Sequence, residues 1–600
     1  MTEPGNSAAA RNSAAGGYSE AAEAASALDL LLTDAALGML RRFRPDSSVA
    51  RFGFRLARQP RTLARRFGTL AGELTTIAAG RSRIAPDRRD RRFADPAWTG
   101  NPLLRRIVQA YLAGGALAEG LLADADLGWR DTERAGFLLR NLIDAAAPSN
   151  NPLISPAAWK ALIDTGGLSA VRGLRAMASD LATPPRIPAM VAPGAFEVGR
   201  DLAVSPGAVV RRTEMCELIQ YTPATPRVHR YPLVVVPPMI NKYYICDLAP
   251  GRSMIEFLVS QGHQVFAISW RNPDARHRDW DLDAYGRSVV ESLDAARAIC
   301  GADKAGICSL CSGGIVSSMV AAHLSRAVRP GELSSLYLGV TVLDQTEEGT
   351  AAALVDDRTV ALALAASRSR GYLDGRALAE VFAWLRPNDL IWNYWVNNYL
   401  RGQPPAPFDI LYWNADTTRM PAALHRDFID IMLAGALAKP DAASMLGSPV
   451  DLSTVDVDSY VVAGIADHLC PWQSCYRSTQ LLGGDVRFVL STSGHIASMV
   501  NPPGNPKARF QVAPAPAPAP APGPPPASTL APSPAPARPV NPPSPRDWLA
   551  AAQAVPGSWW LDYSSWLAER GGGEKDRPTT LGAPGFEPMD PAPGLYVLDR

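Results

Sequence analysis

A short segment in the middle of the chain dictates the architecture around it. The apolar run Gly306-Ile307-Cys308-Ser309-Leu310 ends abruptly at Cys311, and a helical pattern starts at Ser312-Gly313-Gly314-Ile315-Val316. Small residues flank the cysteine on either side, at Ser309 and Gly313. A buried strand that turns at once into a helix needs small neighbours there, because the strained turn presses adjacent backbones against it. The thiol then stands at a helix N-terminus, whose free N–H groups and positive dipole end lower its pKa and can hold an oxyanion. The competing reading of any single cysteine is a small buried hydrophobe.

The flanking sequence supplies the sheet such a turn requires. Short β-branched runs at Leu233 to Val236, Val265 to Ser269, Leu336 to Leu343, Tyr460 to Ala463 and Val486 to Leu490 alternate with helical patterns. That alternation predicts an α/β fold with a mostly parallel sheet covered on both faces. Within it the cysteine turn is the nucleophile elbow of an α/β-hydrolase core, with Cys in place of Ser. In this fold the acid and the histidine follow the nucleophile, each on a loop after a later strand. Asp467 follows the run Val461-Val462-Ala463-Gly464, and His495 follows Val489-Leu490-Ser491-Thr492-Ser493-Gly494, so Cys311, Asp467 and His495 occur in the required order. Asp344 is the rival acid, on a strand that breaks that order. Of the remaining histidines, His468 reads as a loop neighbour, His263 and His323 as ordinary positions, and His229, His277 and His425 carry no pattern.

At 600 residues the chain exceeds one ordinary core. Residues 1–25 are expected to form a disordered tail, 26–193 a mostly helical N-terminal domain, and 194–512 the α/β catalytic domain. A helical, Trp-rich insert at about 345–405 is placed as a lid. Residues 513–545 alternate Ala and Pro and read as a semi-rigid spacer, and 546–600 return to the catalytic domain. The net charge of +1 argues against overall affinity for nucleic acid, yet residues 41–92 hold 15 Arg against four acids, a local +11. Phe52, Phe54, Leu56, Leu63, Phe67 and Leu70 interleave with those arginines. Such a segment is either a solvated helix face or an interfacial one, with nucleic acid as a competing partner. Seven cysteines without repeated C-x-x-C pairs argue against a disulfide framework and against a zinc site. No signal peptide or membrane span is seen. A cytoplasmic protein with no cofactor and no metal is expected.

Beyond the elbow, several motifs occur in order. They include Val235-Val236-Pro237-Pro238-Met239-Ile240-Asn241-Lys242-Tyr243-Tyr244, Ser269-Trp270-Arg271-Asn272-Pro273, and Leu385-Arg386-Pro387-Asn388-Asp389-Leu390-Ile391-Trp392-Asn393-Tyr394. Asp467-His468 with Pro471-Trp472, Ser493-Gly494-His495-Ile496, Asn501-Pro502-Pro503 and Gly557-Ser558-Trp559-Trp560 follow. In these the chain resembles the polyhydroxyalkanoate synthases, over residues 90–512 and again from Gly557. Trp392-Asn393-Tyr394-Trp395, Trp472-Gln473-Ser474-Cys475-Tyr476 and Pro503-Gly504-Asn505-Pro506 lean towards the class II branch.

The resemblance implies polymerisation of (R)-3-hydroxyacyl-coenzyme A, medium-chain by that lean, through a thioester on Cys311. His495 would act as the base, and Asp467 would either serve elongation or only orient His495. The Ser312 N–H and an N–H at Ile240 would form the oxyanion hole. A homodimer on the surface of a polyester granule, with granule-coat proteins as further partners, is implied as well. The departures are Ser309 where the elbow usually has Gly, the Ala-Pro insertion, and the Ala- and Arg-rich N-terminus. A thioesterase of the same fold and a non-catalytic granule-associated protein are the alternatives.

Overall fold

The computed structural model describes residues 47–328, 331–344, 357–467, 469–513 and 541–600. The expected tail at 1–25, the start of the helical and Arg-rich segments, part of the insert (345–356), His468 and the Ala-Pro run at 514–540 lie outside them. Two compact units emerge: Glu197–Glu347 with Pro421–Arg600, and Ser26–Phe196 with Glu348–Met420.

The first unit is built on a ten-stranded sheet. Its strands are β1 (Gly207–Arg212), β2 (Cys216–Tyr221), β3 (Leu233–Val236), β4 (Val265–Trp270) and β5 (Ala305–Leu310). They continue with β6 (Leu333–Gly339), β7 (Ser459–Gly464), β8 (Val486–Ser491), β9 (Arg509–Val512) and β10 (Gln553–Pro556). Across the sheet the order is β1-β2-β4-β3-β5-β6-β7-β8-β9-β10. The inner six strands run parallel, and two antiparallel strands flank them on each side. The parallel strands are apolar because helices cover both faces: every residue of β3, β4, β5 and β7 is buried. Each fully buried Val, Leu or Ile contributes roughly 1.5–3 kcal/mol.

One strand differs from expectation. β6 begins at Leu333 and ends at Gly339 instead of running to Leu343, because Val340 takes a left-handed φ of 45° and turns the chain out of the sheet. The β9 and β10 strands bracket the Ala-Pro run and pair antiparallel, with Val512 opposite Gln553. The expected continuation of the core after that run is thus an edge strand and a helix, Trp559–Ala568.

The second unit is helical. Ser47–Ala57, Pro60–Ala78, Pro102–Asp124 and Trp129–Ala145 pack together. Asn101 starts the third of these by accepting N–H bonds from Leu103 and Leu104. The Trp-rich insert packs within the same unit: Ile391 and Ala383 share a cluster with Ile187 and Met190, which follow the helix Leu168–Ala182. Trp395 Nε1 donates to the Asn150 carbonyl at 3.0 Å, and Arg92 donates to Asp90, Asp144, Tyr111 and Asn388 together. Two segments far apart in sequence therefore fold as one body.

Candidate active site

Parallel strands in register bring their C-terminal ends to one edge of the sheet, where loops are free to carry chemistry. Val236 pairs with Ser309, Leu310 with Gly339, and Gly464 with Ser491, so the loops at Pro237, Cys311, Val340, Ile465 and Thr492 all leave the same edge.

Cys311 is the elbow. Its φ of 50° and ψ of −120° lie where a side chain is strained, and the helix Ser312–His323 starts immediately after it. Its N–H donates to the Gly339 carbonyl at 2.9 Å, which pins the turn to β6. A Cβ on Gly313 would stand 2.5 Å from the Val236 carbonyl oxygen and 2.6 Å from that of Pro237, so only glycine fits. Ser309, the departure from the usual elbow, is accommodated: its buried hydroxyl donates to the Tyr337 carbonyl at 2.7 Å.

The loops after β7 and β8 are tied to each other, with the Ala466 N–H donating to the Ser493 carbonyl at 3.1 Å. That junction places His495 Nδ1 2.8 Å from Asp467 Oδ2. The other carboxylate oxygen, Oδ1, accepts the N–H groups of Leu469 at 2.8 Å and Cys470 at 2.9 Å. An ionised carboxylate only accepts, so Nδ1 carries the proton and Nε2 is the nitrogen left for chemistry. A ring nitrogen of His495 and the Cys311 sulfur lie within 4.8 Å of each other, and Cys311, Asp467 and His495 are all buried.

The electrostatics follow from these contacts. A hydrogen bond from Cys470 outweighs burial at Cys311, and the imidazole of His495 and the Ser312 N–H add to it, so the thiol is held well below the ordinary thiol range. Burial pulls His495 down, but the Asp467 carboxylate and the Cys311 sulfur together hold it above the ordinary histidine range. Both shifts favour the thiolate–imidazolium form of the pair over the neutral one. Cys308, on β5, has no such partners, and burial pushes it up to about 12.

Of the expected oxyanion donors, Ser312 is the first residue of the helix. The loop carrying Ile240 is fastened beside it, with the Met239 N–H donating to Ser312 Oγ at 3.1 Å. The rival acid Asp344 lies 3.2 Å from Arg477 instead, and Arg477 also donates to the Asp344 carbonyl. His263 bonds Ser564, and His323 bonds Ser448. Sequence reasoning missed Cys470, whose sulfur lies within 4.8 Å of both Cys311 and His495. Lys242, in one of the motifs, is buried and serves structure, donating to the carbonyls of Val597 and Asp599.

Residues 89–258 match the family described as poly-beta-hydroxybutyrate polymerase (PhaC) N-terminus, and 239–502 match the alpha/beta hydrolase fold. A poly(3-hydroxyalkanoate) polymerase 1 of Ectopseudomonas oleovorans is 44% identical over 543 residues, covering 90% of this chain and 92% of that one. A poly(3-hydroxyalkanoate) polymerase subunit PhaC of Cupriavidus necator is 38% identical over 531 residues, covering 87% and 85%. Among solved structures, a Paleococcus ferrophilus monoacylglycerol lipase aligns at 13% identity with a TM-score of 0.29, over 47% of this chain and 90% of that one.

Proposed function

Because the chain belongs to the poly(3-hydroxyalkanoate) polymerases, and is thus an acyltransferase with an α/β-hydrolase core, we propose that Cys311, His495 and Asp467 carry its reaction. The substrate of this reading is (R)-3-hydroxyacyl-coenzyme A, medium-chain by the class II lean of its motifs. The observation that carries it is the buried chain of contacts from the elbow thiol to the His495 ring and on to the Asp467 carboxylate.

In this cycle the Cys311 thiolate attacks the thioester carbonyl of a hydroxyacyl-coenzyme A. The Ser312 N–H and an N–H at Ile240 stabilise the tetrahedral oxyanion. The carbon–sulfur bond to coenzyme A breaks, and the departing thiolate takes the proton held by His495. The hydroxyacyl group is left on Cys311. The 3-hydroxyl of another hydroxyacyl group then attacks this thioester while His495 Nε2 accepts its proton. An oxoester forms and the Cys311 thiolate is released for the next cycle. Asp467 keeps Nδ1 protonated and so aims Nε2 at the reacting atoms in both halves. A cysteine suits this exchange because passing an acyl group between thiols is nearly balanced, whereas a serine would form a more inert oxoester.

The product side of the proposal is a polyester granule in the cytoplasm, with the enzyme on its surface as a homodimer. Exposed apolar side chains on the helical unit support it: Trp159, Ile163, Leu168, Val171 and Leu174 stand out from the helices Pro156–Asp164 and Leu168–Ala182. The test is to incubate the purified protein with 3-hydroxybutyryl- and 3-hydroxydecanoyl-coenzyme A, measuring thiol release and solvent-extractable polymer together. Polymer with faster release from the longer substrate is expected. Thiol release that yields only free hydroxy acid would assign a thioesterase instead.

A further inference from the structure

Cys470 makes and breaks no bond in that cycle, where it only hydrogen-bonds the Cys311 sulfur, yet its own sulfur is one of three soft donors that converge in the site. Cys470 Sγ, Cys311 Sγ and a ring nitrogen of His495 lie within 4.8 Å of one another, and all three residues are buried. Among the described residues they are the group of three His, Cys or acidic side chains close enough to share one cation.

Two sulfurs and an imidazole form the donor set that zinc prefers, with a fourth tetrahedral position left for water. Zinc–sulfur and zinc–nitrogen bonds of about 2.3 and 2.0 Å place such donors roughly 3.5–4 Å apart. The three atoms are therefore within about an ångström of a coordinating arrangement. The surroundings also match a zinc ligand's support. Asp467 holds His495 through Nδ1 at 2.8 Å, which fixes the ring and strengthens Nε2 as a donor. The same carboxylate accepts the Cys470 N–H at 2.9 Å, so one side chain organises two of the three donors.

We propose that Cys311, Cys470 and His495 form an inhibitory site for a soft divalent cation, with zinc as its natural occupant. Binding takes both sulfurs as thiolates and the Nε2 lone pair, so the protons held by the three groups pass to solvent and no electrons are transferred. The cation occupies the sulfur that would otherwise attack the acyl thioester. The inhibition rests on the reading of Cys311 as the reacting thiol; the binding does not. Cys470 distinguishes this site from an ordinary Cys–His pair, since it supplies the third ligand while neither attacking substrate nor carrying a proton in the cycle.

The experiment uses the full-length protein, reduced and stripped of metal with a chelator, beside the Cys470→Ala and Cys470→Ser variants. Cobalt(II) reports occupancy directly through its thiolate charge-transfer and tetrahedral absorption bands. The expected result is a two-thiolate cobalt spectrum in the wild type that weakens in both variants. The free zinc concentration giving half inhibition, taken against each protein's own metal-free rate, should rise at least about tenfold in Cys470→Ala. Zinc should also protect Cys311 from iodoacetamide in the wild type far better than in that variant. Equal zinc sensitivity and equal cobalt spectra in a Cys470→Ala protein with wild-type circular dichroism would overturn the site. So would inhibition that a thiol reductant reverses and a chelator does not, since that is oxidation. A wild type that gives the cobalt spectrum without any coenzyme A release would support the cation site and overturn the catalytic assignment.

Discussion

Cys308 and Cys311 lie on the same strand-to-helix segment and are both buried, but they behave oppositely: at Cys308 desolvation outweighs a single hydrogen bond with Tyr563, whereas Cys311 has several partners that favour its thiolate. Cys308 is wrapped in the sheet, where desolvation keeps its thiol protonated. Cys311 sees a second thiol, an imidazole and a helix N-terminus. Cys311→Ala is therefore expected to abolish coenzyme A release and polymer at unchanged circular dichroism. Cys308→Ala should lower stability by about 1 kcal/mol and leave turnover within a few-fold. Equal loss of activity in both would dismiss Cys311 as the nucleophile. The same contacts set a pH dependence. A thiol held below its ordinary range stays ionised as pH falls through neutrality, so iodoacetamide should alkylate Cys311 at pH values where free cysteine hardly reacts, the rate dropping only below the lowered pKa. In Asp467→Asn the carboxylate that favours the imidazolium is gone, so the thiolate loses its counter-charge and the alkylation profile should move to higher pH. Acylation by the first substrate is the second readout. His495→Gln should slow it roughly 10²–10⁴-fold. If Asp467→Asn acylates as poorly, Asp467 orients the base; if it acylates but stalls with short chains, Asp467 also serves elongation.

The element that holds His495 comes from the far end of the chain. Trp559 Nε1 donates to the Ser498 carbonyl at 2.8 Å and Trp560 Nε1 to the Met499 carbonyl at 3.1 Å. These are orphan carbonyls at the end of the short helix His495–Met499, and the two indoles close it. Trp559→Phe removes one such bond and some buried volume, for an expected loss of about 2–4 kcal/mol in chemical denaturation. A larger loss of turnover than of Cys311 alkylation is expected at permissive temperature, because the ring and not the thiol is loosened. Unchanged turnover in the folded variant would show that His495 is positioned by Asp467 alone. How much of this was legible in the sequence depended on whether the cause was local. The parallel strands could be read because strands buried on both faces are continuous apolar runs, and the order of Cys311, Asp467 and His495 followed from the loops after them. Among the outer antiparallel strands that escaped notice, β1 is fully buried only at Val209 and Val210, and the four-residue β10 is largely exposed, so neither reads as a continuous apolar run. The partner of the Trp-rich insert was invisible too, because Arg92 meeting Asn388 is set by packing between residues 296 positions apart. Cys470 was missed for a similar reason: its sulfur reaches the site only because the Leu469 and Cys470 N–H groups curl the loop around Asp467.

Taken over its whole length the chain is nearly neutral, and the fold explains where the concentrated positive charge of its N-terminal segment goes. Arg51 is bonded to Asp131, Arg65 and Arg66 to Asp124, and Arg92 to Asp90 and Asp144. These four of the twelve arginines in the described part of the segment are thus paired within their own helical unit, which weakens the case for phosphate binding only in part. Apolar exposure is the stronger signal. Phe54 is 56% exposed and Phe67 52%, and on the helix Leu168–Ala182 the values for Leu168, Val171 and Leu174 are 55%, 63% and 62%. Side chains of this kind are normally turned inward, and a contiguous group of them marks a surface that meets something apolar. A growing polyester is such a surface, and the remaining guanidinium groups would stay at its wet boundary while the apolar side chains enter. Replacing Leu168, Val171 and Leu174 together with Gln is expected to lower co-sedimentation with preformed polymer several-fold and to lengthen the lag before polymer forms, with the steady rate of coenzyme A release nearly unchanged. Salt separates the competing explanations. Attachment through apolar burial should persist or strengthen from low to high ionic strength, whereas attachment through arginines should collapse. Wild-type co-sedimentation and lag in the triple variant, or attachment lost on raising the salt, would return the apolar face to a purely structural role.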